Sequence, residues 1–270
     1  MKISVIIPTY KPQDYLWECL ESLVAQTFRK EDFELILVLN GCTEPYKSAI
    51  ENYIAEKMCG MNVNFIHTAI GGVSNARNLA LDQVKGEFVT FIDDDDFVSP
   101  RYLELLYEKA DAETISLCYP YAFNDGDADK QISYYITDVY DELHQKSNFH
   151  ISSKVRKYFA GPCMKLIRMS FIQDRRFDVR FKNGEDSLFM FLISDSFKKF
   201  SFTSRDSIYY RRFREGSAVM RYRSKSERFK NSRLMTKEYI NIYMIGGYST
   251  KFFFTRIMAE FVFSLKTIIK

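Results

Sequence analysis

The chain of 270 residues contains no stretch of 18 apolar residues, so nothing in it reads as a membrane-spanning helix. No cysteine pair has the C-x-x-C spacing of a metal site. The five cysteines are scattered and odd in number, which fits reduced thiols in a cytoplasmic protein rather than a disulfide framework. The first apolar run, ISVII (3–7), is too short for the core of a signal peptide. Neither a G-x-G-x-x-G fingerprint nor a P-loop is present, and no repeat or low-complexity linker interrupts the chain. Tryptophan occurs once, whereas 24 Phe and 18 Tyr bring the aromatics to 16%, most of which should be core. With 46% apolar and 27% charged residues the chain is globular, of a length for one large domain with or without an appendage.

The net charge of +3 conceals an asymmetry. Residues 205–270 hold 15 Lys and Arg against 5 Asp and Glu, so the rest of the chain is acidic. A basic tail of this kind suits an anionic partner: a membrane surface, a phosphate-bearing substrate or nucleic acid.

ISVII (3–7), FELILVL (33–39), VNFIH (63–67) and EFVTFI (87–92) read as strands. Between them, residues 14–26, 44–58 and 73–84 have helical spacing, and 100–110 forms a further helix. This alternation predicts a parallel sheet covered on both faces. Ligands of such sheets lie beyond the carboxyl ends of the strands. Those ends are Pro8-Thr9-Tyr10, Leu39-Asn40-Gly41 and Asp93 to Asp96. Farther on, 114–123 reads as one strand and 124–150 as a polar surface excursion or lid. Residues 163–174 and 185–196 read as helices, 200–213 as two short strands, and two helices follow from Lys225, broken near Gly246-Gly247.

Four stretches carry chemistry. In FIDDDDFVSP (91–100), carboxylates ending a buried strand suit a hard cation, Mg²⁺ or Mn²⁺, bound together with a diphosphate. The plainer alternative is a charged loop capping the next helix through Asp96 or Ser99. In NGEDSLFMF (183–191), Glu185-Asp186 opens a helix, where the dipole favours acids in any case; the functional alternative is a general base. In GGVSNARN (71–78), Arg77 is either a surface residue or one that reaches an anion at the helix N-terminus. In YYRRFREGSA (209–218), arginines and aromatics interleave, as in a nucleic-acid binder, a solvated edge strand or a phosphate clamp.

In their order these stretches resemble the family 2 glycosyltransferases. The matching segments are ISVIIPTYKPQDYLWECLESLVAQTF, GGVSNARNLALDQVKGEFVTFIDDDDFVSPRYLELL, KLIRMSFIQDRRFDVRFKNGEDSLFMF and YYRRFREGSA, which together span roughly residues 2–218. The resemblance implies an A-type glycosyltransferase fold: a mostly parallel, Rossmann-like sheet flanked by helices. The expected domains are a nucleotide-sugar-binding catalytic unit at 1–219 and a basic, aromatic-rich helical C-terminal appendage at 220–270. By position, Pro8, Thr9 and Tyr10 match the loop around the nucleotide base. Asp93 and Asp95 match the outer positions of the D-x-D motif, with Asp95 the direct metal ligand and Asp93 a metal or ribose contact. Asp94 is the variable middle position, on the nucleotide-sugar-binding side, and Asp96 a supporting carboxylate. Arg77 matches an arginine on the nucleotide side, Asp186 the catalytic base with Glu185 beside it, and Arg211 or Arg212 a diphosphate contact. The chain departs from the family at Leu39-Asn40, where two aspartates are usual. An amide both donates and accepts hydrogen bonds, so Asn40 suits base recognition but leaves a uridine preference open.

The implied reaction is metal-dependent, inverting transfer of a sugar from a nucleotide-diphosphate-sugar donor to a hydroxyl of a glycan or polyprenyl-linked glycan acceptor in envelope polysaccharide synthesis. Competing readings are a nucleotidyltransferase, whose Gly/Arg/Lys-rich signature PTYKPQDY lacks, and a non-catalytic nucleotide-sugar-binding module, against which the intact Asp93, Asp95 and Asp186 argue. A nucleic-acid binder explains the basic tail but not the acidic cluster. In the last helix Phe254, Met258, Phe261, Leu265 and Ile268 form a stripe, with Lys251, Arg256, Glu260, Lys266 and Lys270 on the other side. That stripe is expected to pack on its own domain, to form a homodimer seam, or to rest on the anionic inner face of the cell membrane.

Overall fold

The computed structural model describes residues 1–145, 152–214 and 224–269, with side chains as far as 265. β1 (Ile3–Thr9) and β2 (Phe33–Asn40) are buried along their whole length, as expected of apolar runs in a sheet covered on both faces. β1 lies parallel to β2, from Ile3 opposite Phe33 to Thr9 opposite Leu39. Its other side pairs in parallel with β4 (Phe88–Phe91), and β3 (Asn62–Thr68) extends the sheet beyond β2. The crossovers carry α1 (Tyr15–Val24), α2 (Tyr46–Lys57) and α3 (Val73–Leu81). α1 buries Tyr15, Leu16, Cys19, Leu20 and Leu23, the face its spacing predicts. After the acidic turn come β5 (Phe97–Val98) and α4 (Tyr102–Glu108).

The second half departs from the sequence expectations in three places. The single strand expected at 114–123 is two: β6 (Thr114–Leu117) in the large sheet and β7 (Tyr119–Asn124) in a small one. The break falls at Cys118, whose N–H donates to the carbonyl of Met164 while that of Tyr119 donates to Ser207, so consecutive residues pair with different segments. The excursion expected at 124–150 forms β8 (Asp127–Gln131) and α5 (Tyr135–Leu143), and α5 buries Ile136, Val139, Tyr140 and Leu143; residues 146–150 lie outside the described residues. The helix expected at 163–174 is instead β9 (Lys165–Arg168) and one turn, α6 (Met169–Ile172). The left-handed residues Met164 (φ 67°) and Gln173 (φ 53°) bracket this segment and prevent a continuous helix.

β9 runs antiparallel between β4 and β6, and β10 (Lys199–Phe202) pairs in parallel with β6. The large sheet therefore has the order β10-β6-β9-β4-β1-β2-β3. The small sheet, β5-β11-β7-β8, contains β11 (Ile208–Phe213). Tyr209 lies opposite Val98 and Tyr210 opposite Phe97. This pairing carries the arginines of β11 to the acidic turn, more than a hundred positions earlier in the chain.

α7 (Glu185–Leu192) is followed by α8 (Lys225–Ile245), which a Ser224–Glu227 capping box opens, and by α9 (Thr250–Ile269). Met235, Tyr239, Ile242, Phe252 and Phe253 from these last two helices join the core of the sheet domain. α9 packs through Phe252, Phe253 and Arg256. Of the three expectations for the apolar stripe, packing on its own domain is the one not met: Phe254 is 58% exposed, Met258 56% and Phe261 56%. The side chains of Lys266, Ile268 and Lys270 lie outside the described residues. Beside the stripe is an apolar groove of about 1090 Å³, lined by Phe254, Met258 and Val262 with Tyr135, Arg156 and Lys251. Among the described residues no helix is long and apolar enough to cross a membrane.

Candidate active site

The carboxyl ends of β1, β2 and β4 meet, as the parallel sheet requires. At the end of β2, Asn40 is 3% exposed and its amide works inward. Its Nδ2 donates to the carbonyl of Thr9 at 2.7 Å, and its Oδ1 accepts from the N–H of Gly72 at 2.8 Å. Asn40 thus staples β1 to the Gly71-Gly72 turn rather than presenting a free amide to a base. A carboxylate could not donate to Thr9, which gives a physical reason for an amide here. Next to it Gly41 has φ 69°, and a Cβ there would meet the Cα of Gly71 at 2.8 Å, so the two backbones approach as only glycine allows. Tyr10 is exposed and the Lys11 ammonium lies 5.4 Å from its ring centre.

The four aspartates face different ways. Asp94 accepts from the hydroxyl of Thr9 at 2.5 Å, tying the acidic turn to the end of β1. Burial pushes Asp94 up to about 7, with Thr9 opposing and Asp95 and Asp93 adding to the rise. Asp93, Asp95 and Asp96 each offer an oxygen, and the three lie within 4.8 Å of one another. Asp93 accepts from Arg77 Nη2 at 3.0 Å and Arg211 Nη1 at 2.9 Å. Burial acts to raise the Asp93 carboxyl, but Arg77 and Arg211 outweigh it and hold it below its ordinary value. Asp96 is fully buried and accepts from Arg211 Nη1 and from the backbone N–H of Arg212, both at 2.8 Å. Burial still pushes it to about 7. Asp95 pairs with Arg214 Nε at 2.8 Å.

Arg77, on α3, is 3% exposed and stacks over Phe177. One branch of its guanidinium holds Asp93; the other donates to Asp186 Oδ1 at 2.6 Å. Burial works against its charge, and Asp186 and Asp93 together reverse that and raise its pKa. Asp186 stands in the first turn of α7, after the left-handed Gly184. Desolvation raises its pKa against the pull of Arg77. Glu185 beside it is buried.

The expected residues therefore gather at one site, with two differences besides the inward turn of Asn40. Arg212, expected as an alternative to Arg211 beside the diphosphate, points away: it donates to the Asp95 carbonyl at 2.8 Å, to Asp125 at 2.7 Å and to Glu18. Arg214, which the sequence reading did not single out, takes a place in the cluster over the ring of Tyr15. Arg212 and Arg214 have the same parity along the chain, but β11 ends at Phe213, so strand alternation could not have separated them.

The site and sheet define the A-type glycosyltransferase fold. The model of glycosyl transferase family 2 matches residues 4–176, and the chain belongs to that family. It is 30% identical to the glycosyltransferase GlyA of Streptococcus pneumoniae over 80% of this chain and 31% of GlyA. It is 29% identical to the minor teichoic acid biosynthesis protein GgaB of Bacillus subtilis over 86% of this chain and 25% of GgaB. The chain thus spans a third or less of these relatives. The structure of Staphylococcus aureus TarS 1–349 with UDP-GlcNAc superposes with a TM-score of 0.71 at 24% identity, covering 99% of this chain and 72% of that one, and shows the shared fold.

The two arginines should separate by experiment. Arg212→Met removes a buried cation with several partners and should lower unfolding stability by about 2–4 kcal/mol. Arg214→Met removes a partly exposed cation with a single bond to the buried Asp95 and should cost less, about 1–2 kcal/mol. Chemical denaturation measures both, and equal losses would contradict the different placements.

Proposed function

We propose that the chain is the catalytic part of an inverting, metal-dependent glycosyltransferase that moves a sugar from a nucleotide-diphosphate-sugar to a hydroxyl of a glycan or lipid-linked glycan in envelope polymer assembly. The observation that carries this reading is the continuous link from Asp186 through Arg77 to Asp93. It sets a carboxylate suited to take a proton beside carboxylates suited to hold a diphosphate's cation. The teichoic acid role in the name of GgaB supports the envelope context.

Pro8, Thr9 and the exposed ring of Tyr10 receive the base, in a loop that Asn40 and Asp94 hold in shape. The oxygen-only donors Asp93, Asp95 and Asp96 fit Mg²⁺ or Mn²⁺. When bound, such an ion supplies counter-charge for the leaving diphosphate. Arg211 and Arg214, which neutralise the same carboxylates, are the cations best placed to contact the diphosphate. Asp186 takes the proton of the acceptor hydroxyl as its oxygen attacks the anomeric carbon, and Glu185 lines the acceptor side. The nucleoside diphosphate leaves from the opposite face, so the configuration inverts. The arginines of β11, and Arg214 just beyond it, pair with carboxylates, which speaks against nucleic acid as the partner.

The 220–270 appendage then serves to seat the catalytic unit on the anionic inner leaflet. The outward stripe of α9 and the Arg156 and Lys251 at its groove support this over a homodimer seam.

Two outcomes test these readings. A screen of nucleotide-sugars with Mn²⁺ should find a donor, and Asp186→Asn should then lower transfer by about 10²–10⁴-fold while nucleotide binding survives. Parallel loss of both would remove Asp186 as base. In sedimentation, the protein should pellet with anionic vesicles in low salt and be released by high salt; a salt-insensitive supernatant argues for the dimer seam instead.

A further inference from the structure

Lys165, the first residue of β9, is fully buried, and the reaction outlined above makes no use of it. Its ammonium forms no ion pair with a carboxylate among the described residues. Instead it donates to two backbone carbonyls, Gly161 at 2.6 Å and Cys163 at 2.5 Å. Burial pulls its pKa down to about 8, with Cys163, Cys118 and Asp186 acting in the other direction. Burying a charge is costly, and an apolar side chain of this size would fill the space with no such cost. The contribution of Lys165 should therefore lie in geometry rather than in stability.

The segment that Lys165 grips is part of the active site. Gly161 is extended (φ −147°, ψ 166°), and a Cβ built on it would lie 3.9 Å from Asp186 Oδ2. Cys163 bridges to Phe91 at the end of β4, two residues before Asp93. The segment is also gripped from its other end, because the buried Arg256 of α9 donates to the carbonyl of Phe159. Residues 159–163 thus form a wall alongside Asp186. Three of the wall's carbonyls, those of residues 159, 161 and 163, are turned to buried cations.

We propose that Lys165 is a positioning residue for the acceptor: by holding the carbonyls of Gly161 and Cys163 it fixes the 161–163 wall against which the acceptor hydroxyl is aligned with Asp186. The proposal rests on the sugar-transfer reading, yet part of its test needs no turnover. The wall approaches the site at Asp186 through Gly161, so its loss should act on the acceptor first and leave nucleotide affinity nearly unchanged.

The test compares Lys165→Met with the wild type. Hydrogen exchange of the peptide covering 160–164 should speed up at least about tenfold, with the rest of the sheet unchanged. Affinity for the nucleoside diphosphate with Mn²⁺ should stay within about twofold. Transfer should fall by on the order of 10²-fold, as misplacement of a reacting group by about 1 Å does, with the acceptor KM raised and the donor KM kept. Gly161→Ala provides a second arm if Lys165→Met does not fold, because its backbone suits alanine and its Cβ meets Asp186 only at ordinary contact distance. It should raise the acceptor KM and leave nucleotide affinity alone. Unchanged exchange at 160–164 in Lys165→Met, or an unchanged acceptor KM in Gly161→Ala, overturns the proposal. Faster exchange in a protein whose wild type turns over no donor would overturn the transfer reading and the acceptor role together, leaving only the loop contact.

Discussion

Arg77 is the contact on which the arrangement depends. It is a buried guanidinium that holds Asp93 with one branch and Asp186 with the other. The two carboxylates belong to distant parts of the chain, the turn after β4 and the first turn of α7. Without a cation between them, two carboxylates in a desolvated cleft would repel each other and take up protons. With it, the residue suited to proton abstraction and the residues suited to holding a diphosphate's ion share one electrostatic frame.

The same constraint explains the surroundings. Four successive aspartates concentrate negative charge, and the fold answers with arginines from a separate sheet. β11 pairs with β5 immediately after the acidic turn and so delivers Arg211 to Asp93 and Asp96, with Arg214 reaching Asp95 beyond the strand end. Arg212 turns to the other side of the strand and secures the turn through its carbonyl, Glu18 and Asp125. Asp94 is not among the three carboxylates that converge; its bond to Thr9 couples the acidic turn to the loop at the end of β1. The four aspartates therefore divide into three that converge and one that braces.

Much of this was legible in the sequence, for identifiable reasons. The strand–helix alternation to residue 110 was readable because strands buried on both faces leave unbroken apolar runs. The convergence of Thr9, Asn40 and the aspartates followed from parallel topology alone. β9 was not legible, because KLIRMSF is apolar at no distinctive period and its limits are set by two left-handed residues of ordinary type, Met164 and Gln173. The break at Cys118 was hidden for a similar reason: both halves are strand, and only their partners differ. The inward role of Asn40 and the separation of Arg211, Arg212 and Arg214 depend on tertiary partners that no local pattern encodes. Arg256, on the side of α9 opposite the apolar stripe, is buried because the helix packs through a different side than that stripe suggests.

The most direct test of the Arg77 bridge is a double-mutant cycle in unfolding stability, pairing Arg77→Met with Asp186→Asn and separately with Asp93→Asn. If the guanidinium holds both carboxylates, each pair should be non-additive by about 1–3 kcal/mol. Additivity within about 0.5 kcal/mol in both cycles would contradict the bridge.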